Sequence, residues 1–347
     1  MPSLSDIIFN KIKLNNIWFL ITERCNLNCD YCFFAYRKNK ADISLEQVLV
    51  LLKTLAKDRT YDFIISGGEP LLRWDSARSI IKHLRNACPE SEITMQSNML
   101  NFSESKAQFL KKKNVVIEPG IDGDFLSNFR HRKGFAPGNF RAFLKNINLM
   151  VKNKLRMNPT MTVHPLEVED MFKNFKKLAS LGLNSIEVHP AFLAAWDRKK
   201  NEKFIRQYKR ILSYEKDSGK RLICKDYSMP LRTSLDLVIQ PDGFILPNWT
   251  FLAFPYRTRE NFFIAKIRRK KIIIFKKNLQ DYFHLLLTFF SKKRTYREFS
   301  NFNAFCALKR LRDDNLKRRF LIYDELCKMI QRIDQLLLLE RREDNGY

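Results

Sequence analysis

The sequence predicts an α/β protein: a partial (β/α)6 barrel of parallel strands, then a small α+β module and a basic helical tail. Three observations carry this. Between Asn16 and Asp217, six short runs rich in β-branched and aromatic residues alternate with stretches whose apolar residues recur at helical spacing. After Lys220 the pattern changes to two short apolar runs joined by Pro241-Asp242-Gly243, the signature of a hairpin. From about Lys266 the chain turns strongly basic and reads as two or three helices with an apolar face. The expected boundaries are therefore 1–218 for the barrel, 219–265 for the hairpin module and 266–347 for the basic extension.

Each element has a local reason. Asn16–Thr22 is a β-rich run, and Ser44–Asp58 repeats its apolar residues helically behind a capping box of Ser44 and Gln47. Tyr61–Ser66 then Asp75–Ala87, Glu92–Gln96 then Ser103–Lys112, and Asn114–Ile121 then Asn139–Lys152 continue the alternation. Met157–Val163 with Glu167–Ser180, and Ser185–His189 with Lys199–Asp217, complete it. Successive strand–helix units joined by right-handed crossovers make a parallel sheet covered by helices. Function in such a fold gathers at the C-terminal ends of the strands.

Composition limits the alternatives. With 347 residues, 45% of them hydrophobic and 29% charged, the chain has the usage of a folded globular protein. The longest apolar runs, Leu285 to Phe290 and Leu336 to Leu339, fall far below the roughly 18–20 residues of a membrane span. Met1 to Lys13 lacks the plan of a secretory signal, which makes the cytoplasm the expected compartment. The formal net charge is +26, and from Lys266 onward 21 basic residues face 10 acidic ones. Such a field draws anionic partners. Arg268-Arg269-Lys270-Lys271 and Lys317-Arg318-Arg319 interleave with Phe262, Phe275 and Phe289, so RNA binding is an option. No nucleic-acid motif accompanies them; an acidic peptide ranks ahead of RNA as a partner, and helices that bury Phe and leave Lys in water are the plainer reading of the same pattern.

Seven cysteines occur, and three crowd into eight residues. Cys25, Cys29 and Cys32 form a C-x3-C-x2-C arrangement on the loop after the first strand. Soft thiolates select zinc or an iron–sulfur cluster. A structural zinc wants four closed ligands, whereas three thiolates leave one coordination position open. The other four cysteines are scattered, which is not a disulfide framework.

This loop, with Tyr31 just before the third cysteine, resembles the signature of the radical S-adenosylmethionine (SAM) superfamily. Ser66-Gly67-Gly68-Glu69-Pro70 is similar to that family's GGE-P motif, and Gln96-Ser97-Asn98 to its Gln-Thr-Asn-Gly segment, with Met99 at the usual Gly position. Gly120-Ile121-Asp122-Gly123, Arg132 and Gly138-Asn139-Phe140 resemble the Ser-x-Asp-Gly, Arg and Gly-Ser-Phe pattern of the subgroup that modifies peptides and proteins. The resemblance spans about Asn16 to Pro190. It implies a [4Fe-4S] cluster on Cys25, Cys29 and Cys32 and reductive cleavage of SAM to a 5′-deoxyadenosyl radical that abstracts a substrate hydrogen. It further implies that Gly67, Gly68 and Glu69 meet the methionyl amino group, Arg132 the SAM carboxylate and Tyr31 the adenine. Gln96, Asn98 and Asp122 complete the implied cofactor contacts, and a flavodoxin or ferredoxin is the implied electron donor. No catalytic residue is assigned.

Several departures refine the expectation. Gly120 replaces the Ser whose hydroxyl would reach SAM. Val238 to Pro247 resembles the hairpin opening a SPASM or twitch domain, yet Asn248-Trp249 follow where a cysteine is expected, and Cys224, Cys306 and Cys327 stand alone. A SPASM-like remnant without auxiliary clusters is expected. Only 24 residues precede Cys25, so no leader-peptide domain is expected at that end. His164 and His189, at strand ends, are candidates for contact with SAM or for acid–base work. The expected substrate is a ribosomal peptide or protein side chain. A small metabolite such as a sugar or nucleotide is the alternative, and a non-catalytic metal-binding protein the rival.

Overall fold

The computed structural model describes residues 13–34, 41–55, 60–183, 185–191, 194–219, 234–247, 252, 259–275 and 277–278. The chain starts with β1 (Lys13–Leu20), the two-residue β2 (Asn28–Cys29) and α1 (Leu45–Leu52). Next come β3 (Asp62–Ser66), α2 (Trp74–Ala87), β4 (Ile93–Ser97), α3 (Glu104–Lys112) and β5 (Val115–Pro119). Then α4 (Phe125–His131) runs into the two-residue β6 (Arg132–Lys133), followed by α5 (Pro137–Lys152), β7 (Thr160–Val163), α6 (Met171–Ala179), β8 (Glu187–Pro190) and α7 (Arg198–Ser218). Four strands close the order: β9 (Ser234–Ile239), β10 (Phe244–Leu246), β11 (Ala265–Arg268) and β12 (Lys271–Ile274).

All six expected strand–helix pairs form. The Ser44 capping box is present, with Gln47 N donating to Ser44 Oγ at 3.2 Å and Ser44 N to Gln47 Oε1 at 2.7 Å. One sheet runs β12-β11-β10-β9-β1-β3-β4-β5, and β7 pairs with β8 in a second. Parallel bridges Ile117↔Met157 and Gly120↔Thr160 carry the row from β5 on to β7. No closed ring of paired strands forms among the described residues. One face of the strands carries Ile17, Phe19, Phe63, Ile65, Ile93, Met95 and Ile117, all at most 1% exposed. Helices cover this face, with Ile80, Ile81 and Leu84 of α2 and Phe175 of α6 buried. The opposite face presents Asn16, Ser66, Gln96, Glu118 and Thr160, a polar lumen that an ordinary core strand would not tolerate without bonds.

Two features depart from expectation. The hairpin of β9 and β10 forms around Gly243 (φ +85°), and β9 also lies parallel to β1 in the main sheet, with Trp18 opposite Val238. The start of the expected basic helical stretch is instead a β-hairpin. Arg268 pairs with Lys271, and Arg269 and Lys270 between them both hold positive φ, +46° and +59°. That is the backbone of a two-residue turn that follows strand twist, and the Ile267, Ile272, Ile274 alternation outweighs the helical reading. The rest of the basic extension, with Lys317-Arg318-Arg319, lies outside the described residues, as do Asn248, Trp249, Cys224, Cys306 and Cys327.

Candidate functional site

The cysteine loop leaves the end of β1 and is strapped down from two sides. On one side Gly68 N donates to Thr22 O at 2.6 Å and Glu69 N to Arg24 O at 2.8 Å. Main chain lies on main chain here, and no side chain fits between: a Cβ at Gly68 would stand 2.1 Å from Arg24 O. Gly67, with φ +128°, would place one 2.6 Å from Thr22 O. The close approach served by these two glycines is thus toward the cysteine loop. On the other side β2 pairs with β6, which sets Cys29 opposite Arg132, and Asp30 N donates to His131 O at 3.0 Å.

Cys25, Cys29 and Cys32 are half-buried and no disulfide joins them. Burial pushes the Cys29 thiol up to about 12; Arg132 opposes this while Cys32, Asp122 and Cys25 add to it. The three thiols therefore act on one another, and Asn98 Nδ2 stands 4.0 Å from Cys25 Sγ. A soft donor set of three at one place fits a cluster that keeps one metal position open, and a bound metal would remove the cost of charging a buried thiol.

Glu69 is 1% exposed. Its carboxylate accepts from Leu71 N at 2.9 Å, Ser97 Oγ at 2.8 Å and Asn98 N at 2.7 Å. Burial pushes its carboxyl above the usual range, against these three donors. Glu69 thus ties the β3 exit to the β4 exit, with its side chain closed off from solvent. Asn98 continues the chain, giving Nδ2 to Asn26 Oδ1 at 2.7 Å. Beside it Gln96 accepts from Ser66 Oγ at 2.8 Å and donates to Glu118 Oε2 at 2.9 Å, a row of polar groups across three strands of the lumen. Met99 takes φ +62°, so the left-handed backbone that glycine adopts freely is kept here by a buried methionine. Met99 N donates to Ser97 Oγ at 2.9 Å and Asn146 Nδ2 to Met99 O at 2.7 Å, which hold it there.

Arg132 does not wait with an open fork. Its Nε donates to Asp122 Oδ2 at 2.9 Å and its NH2 to Asp122 Oδ1 at 2.7 Å, with both side chains buried. Tyr31 donates its hydroxyl to Asp122 as well, and the guanidinium lies 5.8 Å from the Tyr31 ring centre. Burial pushes the Tyr31 phenol well up, which keeps that donating proton in place. Gly120 makes room for the group: a Cβ there would stand 3.1 Å from both NH1 and NH2. The absence of the expected Ser therefore has a steric consequence the sequence did not reveal.

Past this knot, His131 and His164 stack with ring centres 3.8 Å apart. Burial, then the facing His131, lowers His164 to about 4. His164 follows β7 directly, and His189 on β8 sets Nε2 2.5 Å from Oε1 of the buried Glu187. Both histidines stand where the barrel reading placed them. Missed in the sequence were Asp30 and His131, whose only signal was titratable side chains beside strand ends.

Comparison with known proteins agrees with this geometry. Residues 19–179 match the model of the radical SAM superfamily. The cysteine-type anaerobic sulfatase-maturating enzyme of Clostridium novyi is 26% identical over 172 residues, 45% of this chain and 46% of that protein. A GTP 3′,8-cyclase of Sulfurimonas denitrificans is 26% identical over 173 residues, 45% of this chain and 50% of that protein. The chain thus spans about half the length of the curated relatives it matches. Among solved structures, native anSMEcpe with bound AdoMet and Cp18Cys peptide shares the fold at a TM-score of 0.63 and 15% identity, covering 93% of this chain and 99% of that one. Cysteine loop, glycine strap and parallel strand order converge with the family match: residues 19–179 are a radical SAM domain.

Proposed function

We propose that the chain is a radical SAM enzyme whose substrate is a peptide or protein side chain. The observation that carries the enzyme reading is the double strap on the cysteine loop. It holds three soft thiols at the C-terminal edge of a parallel sheet, next to a polar lumen that can receive substrate. Cys25, Cys29 and Cys32 would hold the [4Fe-4S] cluster. Gly67, Gly68, Gln96, Asn98, Asp122 and Tyr31 would surround SAM. With both bound, the site would supply radical chemistry that removes a substrate hydrogen. The residues around them have three tasks. Glu69 keeps the β3 and β4 exits in register. Arg132, with Nε and NH2 spent on Asp122, offers its NH1 edge above Gly120 to a carboxylate. Leu27 and Phe34, buried members of the hydrophobic core, root the cysteine loop in the domain.

The peptide reading is supported by the sulfatase-maturating relative and by the peptide named in the anSMEcpe structure. The GTP 3′,8-cyclase relative favours a second reading, a nucleotide or similar small molecule. A division at 218, a cluster-free C-terminal half, a flavodoxin or ferredoxin donor and a cytoplasmic setting belong to the same proposal, whereas the boundary expected at 265 falls inside β11, which pairs with β10 and β12. Among the described residues no helix is long and apolar enough to cross a membrane.

The test is anaerobic reconstitution with iron and sulfide, reduction by dithionite and assay of 5′-deoxyadenosine, beside a Cys25, Cys29, Cys32 triple Ala variant. Iron at about four per chain and product that vanishes in the variant support the reading. Iron near eight removes the cluster-free half of it. A loaded cluster that makes no 5′-deoxyadenosine with either peptides or nucleotides overturns the enzyme reading.

A further inference from the structure

We propose that Asp30, His131 and His164 form a second metal site, for a divalent ion of the zinc type, distinct from the three cysteines. One ligand atom from each residue lies within 4.8 Å of the others. Asp30 comes from the cysteine loop, His131 from the end of α4 and His164 from the exit of β7, so the three converge from separate elements. Two imidazoles and a carboxylate are a donor set zinc accepts, with a fourth position left to water or a ligand.

The surroundings of His131 carry the inference. Its Nδ1 lies 3.1 Å from Asp30 Oδ2, and its Nε2 lies 3.5 Å from Glu167 Oε1. A neutral imidazole has one proton and here faces two carboxylates. A cation between His131 Nδ1 and Asp30 would answer that excess of negative charge. Glu167 is itself fixed, accepting from Arg130 NH1 at 2.8 Å and Ser127 Oγ at 3.4 Å. A histidine oriented by an anchored carboxylate on one nitrogen while the other meets a metal is the arrangement that holds ligating histidines in place. His164 Nδ1 accepts from Leu166 N at 3.2 Å, which leaves Nε2 as the nitrogen it can give to an ion. Metal–ligand distances of about 2.0–2.2 Å require the three atoms to draw together by roughly 1 Å and the His164 ring to turn out of its stack with His131, because the in-plane lone pairs of parallel rings do not meet at one ion. The bound ion would fasten the cysteine loop to β7 and α4, independently of the cluster.

The test is zinc titration of the full chain, reconstituted with iron and sulfide, followed calorimetrically and by X-ray absorption at the zinc edge. The expected result is one zinc per chain with iron unchanged and a shell of nitrogen and oxygen at about 2.0–2.2 Å. Asp30→Asn and His164→Gln should each weaken binding at least tenfold, and Glu167→Gln, which leaves all three ligands, by roughly 10–100-fold. Circular dichroism checks that each variant is folded. No zinc uptake by the unaltered chain overturns the proposal. A sulfur shell at about 2.3 Å, or affinity unchanged in both ligand variants, overturns it too.

Discussion

Gly68→Ala is a severe change at a position with no visible side chain to lose. The added methyl would lie 2.1 Å from Arg24 O and 2.5 Å from Arg24 C. Both obstructing atoms are main chain, so no rotamer change relieves the overlap. The two loops must part by roughly 1 Å to reach ordinary contact. That separation breaks the bonds from Gly68 N to Thr22 O and from Glu69 N to Arg24 O, 2.6 and 2.8 Å long. Leaving a buried donor or acceptor unpaired costs roughly 1–3 kcal/mol for each bond, and the substitution should cost about 2–6 kcal/mol in all. Urea denaturation followed by circular dichroism measures it, and iron per chain after gel filtration reports whether the cysteine loop still holds a cluster. Gly138→Ala is the control: nothing lies within 4 Å of its added carbon, inside α5. It should gain roughly 0.4–1 kcal/mol. A loss below about 0.5 kcal/mol for Gly68→Ala, with iron retained, would refute the contact between the two loops.

Met99→Gly should destabilise despite relieving a left-handed backbone. Relief is worth roughly 1–2 kcal/mol, while deleting a side chain that is 1% exposed costs about 2–5 kcal/mol, a net loss that denaturation resolves. Asp122→Asn should cost about 3–5 kcal/mol, because it strands the buried Arg132 charge. Tyr31→Phe, which removes one donor to Asp122, should cost roughly 1–2 kcal/mol, and a double-mutant cycle of the two should show coupling. Asp197→Ala removes the N-cap of α7, where Lys200 N donates to Asp197 Oδ1 at 2.8 Å, and should cost about 1 kcal/mol by thermal melting.

What could be read in advance was local in sequence. The Ser44 and Gln47 box, the Pro241-Asp242-Gly243 turn and each alternation of apolar runs depend on neighbours within a few residues, and each forms. The cysteine spacing and the Gly-Gly-Glu-Pro segment were legible for the same reason. What sequence could not show is how distant residues spend their polar atoms. Arg132 is an available fork on paper, whereas Asp122, ten residues away, takes up its Nε and NH2 donors. Met99 breaks a glycine pattern in composition while keeping its backbone, which only φ reveals. The 265–274 hairpin was hidden by charge: four consecutive basic residues suggested a solvated helix, yet two of them occupy the turn and the flanking isoleucines alternate.

The parallel pairing of β1 with β9 has a consequence for biosynthesis. Asn16 Nδ2 meets Asp236 Oδ1 at 2.9 Å across 220 residues of chain. At roughly 5–20 residues per second, that partner leaves the ribosome on the order of 10–40 s after β1 does. Until then the strand that leads into the cysteine loop has an uncovered edge, with Phe19 and Ile17 among its residues, and such edges invite wrong pairing. Metal loading of the nascent chain would meet a loop rooted in a half-built sheet. The order of events therefore favours completion of translation first and cluster insertion afterwards, and hosts producing this protein should yield more metal-loaded chain when iron is supplied after synthesis rather than during it.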